Sequence, residues 1–525
     1  MAGASEPADV VLPPLPLVPQ PPKRVRRVMV TDSIDVVFAL VALVFGWLAW
    51  AWLLSGRLYT SPRFTPGLAV PVVLLLAVLT SMSYFGLRGV LVTRAAVGGA
   101  VILLVSALPF ALFDTTPVHL VMGAGLVLAY LTWHAYVAGV AVSRGLSPLT
   151  FFDLVTQLLI VPLGNLGAWL AAFRRIRRGG SKANQPIYIV IGIIVGLPVI
   201  LVVLLLLTSA DTAFGYWIAH IQTTVVQVNG RWMAWQLSTG FVLGFLLFAS
   251  WYGNFRRWGT FVFTAGGVNA FIHDKHKIAA VAIAAPMLIL CLIYAIFLAV
   301  TILHLFEAFS THTLVDYTYS NYARYGFFDL VIVSGINVAV LAFSYLFATR
   351  YEGAYPRLLR VIGGAMAVLT LLLIATAASK LMLYTQMFGL TRLRLYTLWF
   401  TGVLFVVFIL VALWHIKPIR VGTPIVVFVL AAFLGLLWSN SDGIIANYNV
   451  NRYLEGVTKS IDVDYLSGSL SAAGVPALIK LGAEANDESV WKPAVTAISQ
   501  ERAREAGPWM SWNWQSARAR ELAQR

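Results

Sequence analysis

Residues 36–54 of the chain read VVFALVALVFGWLAWAWLL, a run of 19 residues without a charged side chain. A helix that crosses a lipid bilayer needs about 20 apolar residues, because each residue advances it by about 1.5 Å. Basic residues precede the run at positions 23, 24, 26 and 27, and no small-residue cleavage site follows it. The stretch therefore predicts a retained first membrane span whose basic flank faces the cytoplasm.

The composition extends this prediction to the whole chain of 525 residues. Hydrophobic residues make up 59% and charged residues 11%, whereas soluble domains contain about 25% charged residues. This excludes a soluble globular protein and a disordered one, and it makes the lipid bilayer the predicted partner. We expect the net charge of +15 in cytoplasmic loops, and we predict no nucleic-acid partner. The single cysteine, Cys291, excludes an intrachain disulfide and a thiolate metal cluster.

Further apolar runs predict about eleven spans in an all-α, polytopic transmembrane helical bundle. No internal repeat is visible, so the sequence gives no support to an inverted-repeat transporter. After the first span, the predicted spans lie at roughly 67–87, 95–113, 117–141, 187–208, 234–252, 278–306, 327–349, 360–379, 396–414 and 421–438.

The segment 148–172 is the ambiguous element of this topology, because Pro148, Asp153 and Pro162 interrupt its apolar residues. If it does not cross, the loops carry 21 Lys and Arg inside and 7 outside; if it crosses, they carry 12 inside and 16 outside. The positive-inside rule favours the first topology. We therefore predict a re-entrant or interfacial helix at 148–172, with the N-terminus inside and the C-terminal tail outside.

Three regions of the chain are predicted from these features. Residues 1–33 form a Pro-rich, basic, disordered cytoplasmic N-terminus, and residues 34–438 form the transmembrane helical domain. Residues 439–525 are close to neutral and carry apolar residues at helical spacing, which predicts a small helical domain outside the cytoplasm. Three tryptophans near its end, Trp509, Trp512 and Trp514, are read either as core residues or as a membrane-interface anchor.

A belt of polar residues falls near the outer membrane surface in this topology. An ordinary interfacial belt of Tyr and snorkelling Arg and Lys is one interpretation. An outward-facing polar pocket is the other, since Asp329 enters a span and needs a partner such as Arg392 or Arg394. The candidate pocket residues are Asp211, Asp316, Tyr322, Arg324, Asp329, Lys380, Tyr384, Arg392 and Arg394.

Signatures of known chemistry are absent from the sequence. It contains no phosphate-binding loop, no nucleophile elbow, no H-E-x-x-H and no C-x-x-C. His304, Glu307, His312 and Asp316 lie within 13 residues, but their spacing matches no fixed metal motif. We therefore predict no cofactor and no metal site, and no catalytic residue can be assigned.

Several strings resemble a known family: SADTAF at 209–214, YARYGFFDL at 322–330, the stretch 384–396, YNVNRY at 448–453, DVDYL at 462–466 and VPAL at 475–478. Together they resemble the bacterial multi-pass membrane proteins of the family of unknown function DUF4173, which is close to DUF4153. The resemblance covers roughly residues 180–480. It implies an all-helical protein of the bacterial cytoplasmic membrane and no particular activity. The strings single out a tail motif made of Asn449, Arg452, Tyr453, Asp462, Asp464 and Tyr465.

Three functions remain open on the sequence. The preferred hypothesis is a non-enzymatic envelope protein that recognises a ligand or an envelope-protein partner at the outer face, because the outer tail comes without catalytic signatures. A transporter or flippase-like carrier of an amphiphilic or lipid-linked substrate is the second, although few ionisable groups fall at mid-membrane depth. A membrane-embedded transferase or hydrolase is the third, with Asp211, Asp316 and Asp329 as its acid or base groups.

Overall fold

The computed structural model describes residues 29–53, 67–90, 93–114, 116–142, 145–178, 230–257, 278–310, 316–350, 355–417, 419–503 and 509–524, with isolated positions 207, 263, 266, 267 and 270. Within these ranges the description covers the backbone but not the side chains of 116–120, 176–178, 230–234 and 302–328. The predicted span 187–208 and most of the predicted N-terminal region (residues 1–33) lie outside the described residues.

The described chain is helical, and its one backbone bridge outside the helices joins Ile278 to Ala348. The first group of helices is α1 (Ser33–Leu53), α2 (Ala69–Gly86), α3 (Arg94–Leu112), α4 (Thr116–Val137), α5 (Thr150–Val155), α6 (Val161–Gly164), α7 (Gly167–Arg178) and α8 (Gly230–Arg256). The second group is α9 (Ala280–Ser310), α10 (Asp316–Phe347), α11 (Arg357–Phe388), α12 (Arg392–Ile416) and α13 (Gly422–Trp438). The tail has α14 (Ser441–Leu454), α15 (Val475–Glu484), α16 (Glu488–Arg502) and α17 (Trp514–Gln524).

Seven of the described helices are long and apolar enough to cross a membrane, or nine if two bent helix pairs each form one span. Apart from 187–208, each predicted span coincides with a helix of the described chain. The multi-pass, all-helical fold is therefore confirmed, while the number of about eleven spans stays a prediction. Large apolar side chains such as Leu292 and Ile296 on α9 are more than half exposed, as expected for a surface that faces lipid.

The helix ends gather at two opposite ends of the bundle, and hydrogen bonds between neighbouring elements identify each end. At one end, called here the Asp35 end, Arg88 after α2 binds Asp32 before α1. At the other, called the tail end, Asp114 after α3 accepts a hydrogen bond from Ser516 of the tail. The two ends therefore correspond to the two faces of the membrane.

Both ends of the ambiguous segment lie at the Asp35 end. Pro148 sits against Gly422 at the start of α13, and Arg175 donates a hydrogen bond of 2.7 Å to the carbonyl oxygen of Thr31. Between them the helix axis bends by 44° around Asn165. These contacts hold both ends of the segment at the Asp35 end, and its non-crossing topology stays a prediction.

Close packing of α1 against α8 organises the first group of helices. A Cβ atom on Gly46 would lie 2.5 Å from the backbone nitrogen of Gly244, and one on Gly244 would lie 2.5 Å from the carbonyl oxygen of Ala42. Small residues let two membrane helices approach until their backbones touch, and lipid-embedded helices associate largely through such packing. The fully buried Trp251 continues this interface through an edge-to-face contact with Phe38 of α1.

We predict that Gly46→Ala and Gly244→Ala destabilise the protein, although alanine is a better helix former than glycine by about 1 kcal/mol. The added methyl groups would force the two backbones apart, and overpacking typically costs about 1–3 kcal/mol. Thermal unfolding of the purified protein, followed by size-exclusion chromatography after heating, measures the change. Gly98→Ala and Gly125→Ala are the matched controls, because an added Cβ there meets nothing within 4 Å. Equal melting temperatures for all four variants would contradict this packing.

Candidate functional site: the joint between the membrane helices and the tail

A sharp bend connects α13 to α14, the first helix of the predicted tail. The axes of α13 and α14 differ by 63°. Asn440 begins α14 as its cap, since its side-chain oxygen accepts a hydrogen bond of 3.1 Å from the backbone nitrogen of Gly443. The bend places Asp442, in the first turn of α14, next to the start of α12.

The centre of the joint is the ion pair between Arg392 and Asp442. Both nitrogens at one edge of the guanidinium donate to the carboxylate: Nε lies 2.7 Å from Oδ1, and Nη2 contacts Oδ2. Asp442 is completely buried, and the Arg392 side chain is 22% exposed. The backbone nitrogen of Ser471 also donates to Asp442 Oδ2 at 3.0 Å, so the carboxylate has neighbours on two sides. Such bidentate, charge-assisted pairs fix orientation as well as adding energy.

The turn between α11 and α12 is held by Asn449 of the tail. The Asn449 amide accepts from the backbone nitrogen of Leu390 at 2.7 Å and donates to its carbonyl oxygen at 2.8 Å. Gly389 before it has a φ of +75°, and a Cβ there would lie 2.7 Å from Asn449 Oδ1. A side chain at 389 would therefore be strained and would also push the amide away. Tyr465 adds a further contact, because its hydroxyl accepts from the backbone nitrogen of Arg392 at 2.9 Å.

Two arginines bind the exposed carbonyl groups where α11 ends. Arg394 donates to the carbonyl oxygens of Phe388, at 2.8 Å, and Gly389, and its guanidinium lies 4.2 Å from the ring centre of Tyr384. Arg452 of the tail donates to the carbonyl oxygen of Gln386 at 2.9 Å. Cations at a helix C-terminus satisfy carbonyls that have no partner inside the helix and interact favourably with the helix dipole.

The structure thus brings together residues from both predicted groups. Tyr384, Arg392 and Arg394 of the predicted pocket meet Asn449, Arg452 and Tyr465 of the predicted tail motif. The remaining residues of the predicted tail motif make contacts within the tail or face solvent. Asp462 accepts from the backbone nitrogen of Tyr465, Tyr453 packs against the tail core, and Asp464 is exposed.

Other predicted pocket residues are elsewhere or not described. Lys380 is buried within α11, one turn before Tyr384. Asp329 is exposed on α10, so the expectation that Arg392 or Arg394 would pair with it is wrong: Arg392 pairs with Asp442, and Arg394 binds backbone carbonyls. Only the helical backbone is described at Asp316, Tyr322 and Arg324, and Asp211 lies outside the described residues.

Sequence reasoning missed Asp442. The sequence did contain one signal for this residue. Asp442 lies four residues after the end of the predicted span 421–438 and directly follows Asn440-Ser441, a pair typical of a helix start. Its partner lies 50 residues earlier in the chain, which no local pattern reveals.

A second buried polar cluster, also missed, lies at the Asp35 end. Arg88 donates two hydrogen bonds of 2.9 Å to Asp32 and one of 2.5 Å to Asp35, which is completely buried. Tyr84 donates to Asp35 at 2.9 Å, and Arg256 of α8 lies 3.5 Å from Asp32. Burial raises the pKa of the Asp32 carboxyl, but the backbone N–H of Asp35 and the guanidinium of Arg88 outweigh it, so the pKa is lower than usual. The cluster links α1, α2 and α8 through charge.

A second network of buried side chains, all uncharged polar groups, lies near this cluster in the same group of helices. The amides of Gln157 and Asn254 bond each other twice, at 2.7 and 2.8 Å, and Asn254 Nδ2 donates to His134 Nδ1 at 3.0 Å. His134 Nε2 has no hydrogen-bond partner within the described structure. Gln157 lies in a π-helical turn, Thr156–Ile160, a distortion often found at functional sites.

Among the described residues, no group of three or more His, Cys, Asp or Glu side chains is placed to hold a metal ion.

A family model described as a domain of unknown function, DUF4153, matches residues 99–481. This is the second of the two related families named from the sequence, and the match confirms that resemblance. The searches of curated proteins and of solved structures found no match.

We predict that Asp442→Asn loosens the tail from the membrane helices. The change keeps the shape of the side chain but leaves a mostly buried guanidinium without its counter-charge, and breaking a buried pair typically costs about 3–5 kcal/mol. The rate of limited proteolysis of the tail measures the effect. Glu488→Gln is the matched control, because it breaks the exposed pair with Lys492, which contributes little.

The double variant Arg392→Met with Asp442→Leu completes the test. If the pair acts as described, the double variant resists proteolysis better than either single variant, since no unpaired charge remains. An Asp442→Asn protein digested as slowly as Glu488→Gln would show that the pair does not hold the tail.

Proposed function

The chain belongs to the DUF4153 family of domains of unknown function, and we propose that it is a non-enzymatic protein of the bacterial cell envelope. In this proposal the tail recognises a ligand or partner protein at the outer face of the cytoplasmic membrane, and the joint passes the event to the membrane helices. The proposal rests on the buried ion pair between Arg392 and Asp442, because this pair attaches the first turn of the tail to α12.

Contacts at a second place support the same coupling. Gln515 of α17 accepts from the backbone nitrogen of Asp114 at 3.0 Å and donates to Asn440 Oδ1 at 2.9 Å. One tail residue thereby bridges the end of α3 and the cap of α14. The tail is thus attached to both groups of membrane helices, so a shift of the tail acts on both.

The side chains of the joint bind one another or the backbone between α11 and α12, so the joint is a structural connection rather than an open pocket. Recognition is accordingly assigned to the exposed surface of the tail, where Val457 is 56% and Val495 is 45% exposed. The charge distribution supports an outer tail, since the loops on the side of the first basic flank hold most of the Lys and Arg.

We predict that cysteines at Val457 and Val495 react in intact cells with a membrane-impermeant, cysteine-directed cross-linker and give adducts of discrete mass. The single native cysteine, buried Cys291, is first replaced by serine, so each variant carries one reactive thiol. Leu146→Cys is the control, because this residue is 43% exposed at the Asp35 end and should react only after the cells are permeabilised.

Two results would count against the proposal. Reaction of Leu146→Cys but not of the tail cysteines in intact cells would place the tail in the cytoplasm. If the tail cysteines react with the reagent but give no discrete cross-linked product, the proposal that the tail recognises a partner protein is wrong.

A carrier of an amphiphilic or lipid-linked substrate is the second candidate function, and the buried network of His134, Gln157 and Asn254 favours it. Polar groups inside a membrane bundle often mark substrate pathways.

We predict that Gln157→Leu slows the transbilayer movement of fluorescent phosphatidylethanolamine in vesicles that contain the purified protein. Ser238→Ala is the control, because the Ser238 hydroxyl donates to a carbonyl oxygen of its own helix. Lack of any lipid movement with the unaltered protein would eliminate this candidate for phospholipids.

A further inference from the structure

Three exposed tryptophans lie close together in the sequence near the end of the tail. Trp509 is 45%, Trp512 43% and Trp514 45% exposed. The neighbouring polar residues are buried instead: Asn513, between the last two tryptophans, is 2% exposed, and Gln515, directly after them, is 7% exposed. The segment therefore places its large apolar side chains outside and its polar ones inside, which is the reverse of a water-facing surface.

The position of these tryptophans is fixed by contacts with the ends of membrane helices. The backbone nitrogen of Leu68, directly before α2, donates to the carbonyl oxygen of Trp512 at 2.9 Å. Trp509 packs edge-to-face on Trp52 at the end of α1, with ring centres 5.2 Å apart. The tryptophans therefore lie at the level where α1 and α2 leave the apolar layer.

The end of α3 defines the same level. Asp114, two residues beyond α3, accepts a hydrogen bond of 3.0 Å from the hydroxyl of Ser516. Trp438, the last residue of α13, is 40% exposed and ends its helix at the tail end. The segment that carries the exposed indoles is thus in contact with the ends of α1, α2 and α3.

From this placement we propose that Trp509, Trp512 and Trp514 form a lipid-docking surface that inserts into the headgroup layer of the bilayer and holds the tail against the membrane. Indole rings favour this layer because they combine a large apolar face with one N–H donor. The guanidinium of Arg518 lies 5.1 Å from the Trp514 ring centre and supplies a cation beside the surface, suited to lipid phosphate. The proposal holds for either side of the membrane, so it stands or falls independently of the proposed function.

The test measures the depth of a spin label next to the tryptophans. The full-length protein with Cys291→Ser and Met510→Cys is labelled and reconstituted into vesicles of phosphatidylethanolamine and phosphatidylglycerol. Collision rates of the label with oxygen, which concentrates in the bilayer, and with a nickel chelate, which stays in water, give its depth. Asn486→Cys, exposed on the tail, is the water reference, and Leu292→Cys, 62% exposed on α9, is the lipid reference.

We expect the oxygen-to-nickel collision ratio at position 510 to be several-fold higher than at 486 and lower than at 292. Changing all three tryptophans to serine should move the ratio toward that at 486, while changing them to phenylalanine should largely keep it. A ratio at 510 equal to that at 486 in the protein with its tryptophans intact would overturn the proposal. Protection of the label from both reagents would overturn it as well, since it would mean that a second copy of the protein covers the surface.

Discussion

The buried pair of Arg392 and Asp442 is the interaction on which the arrangement of the tail depends. Asp442 is completely buried, and an ionised carboxylate in such a place needs a charged, hydrogen-bonded partner. The observed arrangement of α14 beside α12 supplies it through Arg392. Once that arrangement is made, Asn449 reaches Leu390 and Tyr465 reaches the backbone of Arg392. The charge therefore fixes the direction of α14, and the neutral hydrogen bonds define its register against the turn.

The same constraint operates at the opposite end of the helices with a different result. The bilayer offers no water to polar groups, so Asp35 must find its donors within the protein. It finds them in Arg88 and Tyr84, and this joins α1 to α2. At the tail end, by contrast, the charged pair joins a membrane helix to the tail. A buried carboxylate thus holds the helices together at one end and attaches the tail at the other.

Hydropathy was enough to locate the described helices, because the length of an apolar run is a local property and the bilayer sets its threshold, while the predicted number of spans stays a prediction. The pairing of charged residues was not predictable in this way. Arg392 and Asp442 are 50 residues apart, and Arg88 and Asp32 are 56 apart. Sequence proximity to the outer surface suggested Asp329 as the partner of Arg392, but several acidic residues share that surface. The predicted span 327–349 also starts later than α10, which begins at Asp316, because a helix can continue beyond its apolar stretch.

The joint constrains how the proposed recognition can work. A ligand changes the balance between two conformations only by as much as its binding free energy differs between them. Nε and Nη2 of Arg392 and both oxygens of Asp442 already have partners, so a ligand that used these atoms would first have to break the pair. A ligand on the exposed face of the tail meets no such penalty, and the intact joint then carries its effect to α12. Under this proposal, a weaker ion pair transmits less of the conformational effect of ligand binding from the tail to the membrane helices.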